Sequence, residues 1–281
     1  MNLIKELILA AVQGVAEIFP ISSSGHLVIF GSYLGIPLSI NRIIFFHLGT
    51  LGVITYYYRD QIKDLFQGKL GKNVFLYLHL SFLTTALVGL AFKYWIPAPW
   101  LQSPSVVSGC LFLNGIVIFL VSKFSINRNR KIMDLKLWEL ILIGAIQGIT
   151  YLPGISRFGW TLGAGLVMGM GWFDALSLSF LLSIPTLLCA NLFRAGESVR
   201  LIPEQLFSGF EFPGLQQIIT SSTSFAHSDF FLLALVLTTS FCIGFAAIHY
   251  LTKYIGRKLL GYFGLYCIFA SVFFYLVNQL V

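Results

Sequence analysis

Charge is scarce in this sequence. Charged residues make up 10% of the 281 positions, 18 Lys and Arg with 11 Asp and Glu, against roughly 25% in a soluble domain. With 57% hydrophobic residues, the chain cannot clothe a water-facing surface, which excludes a soluble fold and makes it an integral membrane protein. Cysteine is sparse too. Cys110, Cys189, Cys242 and Cys267 each lie in an apolar stretch and form no CxxC pair, so they read as packing residues rather than metal ligands or a disulfide framework. Also lacking are the alternating stretches of about 10 residues that a β-barrel needs. The net charge of +7 comes from basic residues in short loops between apolar runs, which excludes a nucleic-acid face and reports orientation instead. The first apolar run lacks a small-x-small cleavage site, so no cleaved leader is expected.

Phe (27) and Gly (26) are plentiful, as suits lipid-facing aromatics and close helix contacts. Six stretches approach the roughly 20 residues needed to cross a membrane: 42 to 58, 75 to 95, 105 to 122, 173 to 193, 230 to 251 and 259 to 279. Two others are broken. Residues 3 to 35 are interrupted at Phe19-Pro20 and Ser22 to Gly25, and residues 138 to 170 at Pro153-Gly154; each half is too short to span alone. Three loops gather the cations: Arg59, Lys63, Lys69 and Lys72; Lys123, Arg128, Arg130, Lys131 and Lys136; and Lys253, Arg257 and Lys258. Placed on the cytoplasmic side, they make the first broken stretch enter and leave from outside and the second from inside. The 195 to 228 loop falls outside by the same count.

The segment "AVQGVAEIFPISSSGHL" (11 to 27) aligns at a constant offset with "AIQGITYLPGISRFGWTL" (145 to 162). Each copy precedes three spans, an odd number, so the copies are inserted upside down relative to each other. The expected fold is therefore an all-α polytopic helical membrane protein. It is one membrane domain of two inverted repeats, about 1–125 and 136–281, each a re-entrant broken-helix hairpin plus three transmembrane helices.

The polar residues concentrate at the breaks. Gln13 and Glu17 share one helix face, and a glutamate at bilayer depth, costing about 2.5 to 3.5 kcal/mol on insertion scales, needs a polar cavity and a partner. It reads as a functional carboxylate or as a structural one capping a neighbouring helix. Ser22, Ser23, Ser24 and Gly25 precede a half-helix starting near His26, an arrangement of N–H and hydroxyl donors that suits an anion or simply caps the helix. The matching turn, Ile155-Ser156-Arg157, carries the only arginine of either broken stretch, with a planar fork suited to phosphate oxygens. Together these groups fit phosphoryl chemistry better than cation transport. His47, His79, His227 and His249 read as interfacial or helix-packing residues.

At these residues the chain resembles the undecaprenyl-diphosphate phosphatases, integral membrane enzymes linked with bacitracin resistance. "QGVAEIFPISSSGHL" is similar to that family's (E/Q)xxxE motif followed by P-x-S-S-x-G-H, "PGISR" to its P-G-x-S-R-S-G motif, and "SFLLSIP" (179 to 185) lies just downstream. The resemblance spans nearly the whole chain. It implies hydrolysis of undecaprenyl diphosphate to the monophosphate and phosphate, recycling the lipid carrier of cell-wall precursors. It also implies a bacterial plasma (inner) membrane location with the site opening outward. Carried over by position, it makes Gln13 and Glu17 the acidic-motif pair, Ser23 the nucleophile or a phosphate ligand, His26 an acid or base and Arg157 the phosphate clamp, with Ser22, Ser24, Gly25 and Ser156 around the substrate. Phe158 and Trp160 depart from the motif by removing hydroxyls beside Arg157. A divalent cation, Mg²⁺ or Ca²⁺, is expected on Glu17, held mainly by the substrate's diphosphate because Glu17 is the only carboxylate there unless Glu6 reaches in. Expected partners are a polyprenyl diphosphate lipid, the membrane and, as a candidate, a second copy of the chain. The competing expectation is an inverted-repeat transporter or flippase of a lipid phosphate.

Overall fold

The computed structural model describes residues 3–36, 40–71, 73–126, 128–199 and 227–280. Most of the long connection expected at 195 to 228, and the side chain of His227, lie outside them. Among the described residues the regular elements are helices, apart from one isolated β-bridge between Arg130 and Met170. The first broken stretch forms α1 (Leu3–Ile18) and α2 (Ser23–Tyr33), followed by α3 (Ile40–Tyr57), a short α4 (Arg59–Phe66), α5 (Val74–Trp95), a single-turn α6 (Ala98–Gln102) and α7 (Pro104–Phe124). The second forms α8 (Leu137–Ile149) and α9 (Arg157–Val167), followed by α10 (Trp172–Val199), α11 (His227–Tyr254) and α12 (Leu260–Leu280).

Among the described residues five helices, α5, α7, α10, α11 and α12, are long and apolar enough to cross a membrane. The sixth expected span forms the continuous helix α3, whose buried His47 and Thr50 serve the site described below.

Both breaks have the same local cause. Pro20 in the first and Pro153-Gly154 in the second cannot continue a helix, and a serine then restarts it. The Ser22 hydroxyl accepts from Gly25 N at 3.3 Å and the Ser156 hydroxyl from Gly159 N at 3.0 Å, each satisfying one of the orphan donors of a helix start. The reversal requires a positive φ in each turn. The second places it on Gly154 (φ 101°), which is free to adopt it, whereas the first places it on Ser22 (φ 68°), a strained choice for a residue with a Cβ.

The two turns meet inside the protein. A Cβ on Gly25 would lie 2.8 Å from Gly154 Cα, and one on Gly159 would lie 3.0 Å from Pro20 Cβ, so only glycine lets the breaks touch. Around them α1 lies against α11 and α8 against α5, while α3 packs on α10 and α11. Helices α7 and α12 cross closely, a Cβ on Gly115 falling 2.7 Å from Gly264 O and one on Gly264 2.8 Å from Gly115 O. Ile18, Ile118, Leu140, Ile143 and Leu162 are fully buried in this frame. Gly25→Ala is therefore expected to push the turns apart and lower stability by about 1–3 kcal/mol, the usual cost of overpacking. An unchanged thermal midpoint in detergent would show that the turns are not in backbone contact.

Candidate active site

Glu17, in the last turn of α1, is buried and organises the site. Its Oε1 accepts from Arg157 Nη2 at 2.9 Å, from one broken stretch to the other. Its Oε2 accepts from Ser23 Oγ at 2.5 Å and Gln13 Nε2 at 3.2 Å, and lies 3.2 Å from His47 Nε2. A carboxylate only accepts, so all four groups face it as donors. Four donors on two oxygens, one a guanidinium, offset the cost of burying the charge. Gln13 also reaches Thr50 Oγ1 at 3.4 Å, and that hydroxyl donates to the His47 carbonyl at 3.0 Å.

Ser23 and Arg157 are the first residues of α2 and α9. Two helix N-termini therefore converge on one place, each with backbone N–H groups that have no carbonyl one turn back to bond. Asn114 on α7 ties the turns together: its Nδ2 donates to the Pro20 carbonyl at 3.3 Å and its Oδ1 accepts from Ser156 N at 2.9 Å. Two buried polar atoms here, Gln13 Oε1 and Arg157 Nε, have no hydrogen-bond partner among the described residues. Arg157 Nε is a donor and, beside two helix N-termini, leaves capacity for an incoming anion, whereas Gln13 Oε1 accepts and offers an anion nothing.

The structure thus brings Gln13, Glu17, Ser23 and Arg157 into one cluster, with Ser22 and Ser156 as helix caps, Gly25 at the contact between the turns and Ser24 partly exposed beside them. His26, expected as an acid or base, forms no hydrogen bond with Ser23 among the described contacts. His26 Nδ1 lies 2.8 Å from the Ser22 carbonyl, which only accepts, so in the neutral ring Nδ1 carries the proton and Nε2 accepts from the Tyr266 hydroxyl at 2.9 Å. The ring also stacks on Tyr266, and both nitrogens are occupied away from Ser23. Glu6, although buried, sits three helical turns before Glu17, about 16 Å along α1, and contributes none of the bonds described at Glu17. Phe158 stacks on Phe180 with centroids 4.5 Å apart, filling the core rather than facing the anion site. The indole nitrogen of Trp160 is buried with no partner among the described residues.

Sequence reasoning missed four contributors. His47, taken as a packing residue, touches Glu17; Thr50, Asn114 and Tyr266 hold the other groups in place. The available signal was polarity at bilayer depth: His47 and Thr50 one turn apart, and Asn114 alone in an apolar span, raise the same question as Glu17.

The residues present do not fit a resident divalent cation. The described residues hold no group of three His, Cys, Asp or Glu side chains arranged to bind one, and the single carboxylate at the site already serves four donors including a cation. A hard cation needs six or more oxygen ligands, which this donor set cannot supply.

The family model of the bacitracin resistance protein BacA matches residues 6–273. An undecaprenyl-diphosphatase of Rhodopirellula baltica is 32% identical over 278 residues, covering 99% of this chain and 98% of the relative. One from Methanococcus maripaludis is 30% identical over 275 residues, covering 96% and 98%. One from Halothermothrix orenii is 33% identical over 208 residues, covering 73% and 80%. Both breaks and four of the five long apolar helices fall within the matched range and the fifth, α12, begins inside it; the chain belongs to the bacitracin resistance protein BacA family.

Proposed function

We propose that this protein hydrolyses undecaprenyl diphosphate, or a closely related polyprenyl diphosphate, to the monophosphate and inorganic phosphate. The observation that carries this reading is Arg157 and Ser23, each heading a half-helix, converging on Glu17. The names of the relatives, each an undecaprenyl-diphosphatase, supply the substrate class. In the free site Arg157 is held by Glu17. A diphosphate competes for the guanidinium and takes the N–H groups of both helix starts, so binding is a trade of carboxylate for phosphate oxygens.

Glu17 Oε1, released from Arg157, becomes more basic while Oε2 still faces the Ser23 hydroxyl. Ser23 Oγ then attacks the terminal phosphorus as its proton passes to Glu17. The bridging P–O bond breaks and its electron pair leaves with the polyprenyl monophosphate. Water hydrolyses the phosphoserine and the proton on Glu17 returns to Ser23. Arg157 and the two helix ends stabilise the charge on the transferring phosphoryl group. A divalent cation, if the reaction uses one, would enter with the substrate as the counter-ion of its diphosphate.

The inverted repeat and its orientation are part of the proposal. It is supported by the reciprocal contacts: Gly25 on Gly154 against Gly159 on Pro20, and α1 on α11 against α8 on α5. Gln13 reaches Thr50 and Gln147 reaches Thr186 in the same manner. Tyr151 stands in the second copy where Glu17 stands in the first, so the symmetric frame holds a single acidic centre. The site is proposed to open to the external face of the plasma membrane, with the basic loops inside. A cysteine at Lys69, on the exposed α4–α5 connection, is expected to label only after cells are permeabilised; labelling in intact cells would reverse the orientation.

Phosphate release from undecaprenyl diphosphate by the purified protein tests the activity, and no release above a protein-free control would overturn it. Arg157→Lys is expected to lower kcat/KM about tenfold to a thousandfold although the charge is kept. A point charge cannot reproduce the fork, and each lost charge-assisted hydrogen bond costs about 1.5–3 kcal/mol. Near-normal turnover would remove Arg157 from the phosphate clamp.

A further inference from the structure

We infer that His47 is a positioning residue for this hydrolysis, holding the Glu17 carboxylate against Ser23 once Arg157 has turned to the substrate. The inference rests on the reading above and follows from what becomes of each donor around Glu17. Arg157 is the group that must grip phosphate, so its bond to Oε1 is given up on binding. Ser23 is the reacting group, and its bond to Oε2 ends when its proton moves. Gln13 lies four residues before Glu17 on α1, so it travels with the carboxylate and cannot fix it relative to another helix. Its amide nitrogen is also shared with Thr50.

His47 alone among the four described donors comes from another helix and takes no part in binding or bond formation. It reaches Glu17 Oε2 from α3 at 3.2 Å, its side chain is 8% exposed, and its own backbone carbonyl is held by the Thr50 hydroxyl at 3.0 Å. Because a carboxylate cannot donate, His47 Nε2 must carry the proton in this contact. The ring thus acts as a short, stiff donor on a fixed helix. Without it, a carboxylate freed from Arg157 would keep only partners that move with it or react, and the attacking geometry would loosen. Displacements of about 1 Å in such groups cost on the order of a hundredfold in rate.

The test compares kcat and KM on undecaprenyl diphosphate for the wild type, His47→Phe and His47→Gln, with thermal midpoints measured on the same preparations. Phe keeps the bulk without the N–H, and kcat is expected to fall about tenfold to a hundredfold with KM changed by less than about threefold. Gln places an amide N–H near the position of Nε2 and is expected to restore most of kcat. A Phe variant as fast as wild type overturns the inference. So does a Gln variant as impaired as Phe, or a loss carried by KM alone. Should Phe not fold, His47→Leu takes the same criterion; if neither folds, a loss greater than about tenfold in a folded Gln variant overturns it. Wild-type protein that releases no phosphate would instead sink the hydrolase reading itself, so the two failures are separable.

Discussion

Replacing Ser23 by alanine is expected to lower turnover by about a thousandfold or more, because the residue supplies the bond-forming oxygen and not just a hydrogen bond. The geometry makes the case: Ser23 begins α2, its hydroxyl lies 2.5 Å from Glu17 Oε2, and Arg157 approaches the same carboxylate from the opposite turn. Were Ser23 only a ligand, its loss would cost about 1.5–3 kcal/mol and water could partly fill its place. Rapid quenching with substrate labelled in the terminal phosphate is expected to trap label on Ser23. A Ser23→Ala enzyme with a modest defect, and no trapped label in the wild type, would instead favour direct attack by water. His26→Ala is expected to be the milder change. Its ring is committed to the Ser22 carbonyl and Tyr266, so it shapes the turn while Glu17 accepts the proton.

Glu17→Gln is expected to remove activity and to weaken the fold as well. The amide is the same size, but one end of it now donates. Turned either way, its NH₂ meets Arg157 or else the donors Ser23, Gln13 and His47. Arg157, whose side chain is 17% exposed, also loses its counter-charge, and breaking a buried pair on one side costs about 3–5 kcal/mol. We expect a clearly lower thermal midpoint and turnover reduced about a thousandfold or more. Adding Arg157→Gln removes the stranded cation, so the double variant is expected to recover much of the lost stability and none of the activity. Additive losses of stability would show that the two residues are not coupled in the folded protein.

The membrane-protein character and the positions of both breaks were legible in the sequence because each is written within a few turns of one helix. Low charge and long apolar runs identify the spans, proline stops a half-helix and serine restarts it, and the matched segments state that the breaks are equivalent. Gln13 and Glu17 share a face for the same local reason. Tertiary structure alone decided which groups meet. Ser23 bonds Glu17 rather than His26 because the Ser22 carbonyl and Tyr266, the latter 240 positions away, capture both imidazole nitrogens. His47 joins the site because α3 buries its polar side among α1, α10 and α11, and Asn114 ties the turns together because α7 passes beside both. Spacing along a helix places a side chain on a face; what that face meets depends on how helices cross, and here glycine contacts between distant segments set the crossings.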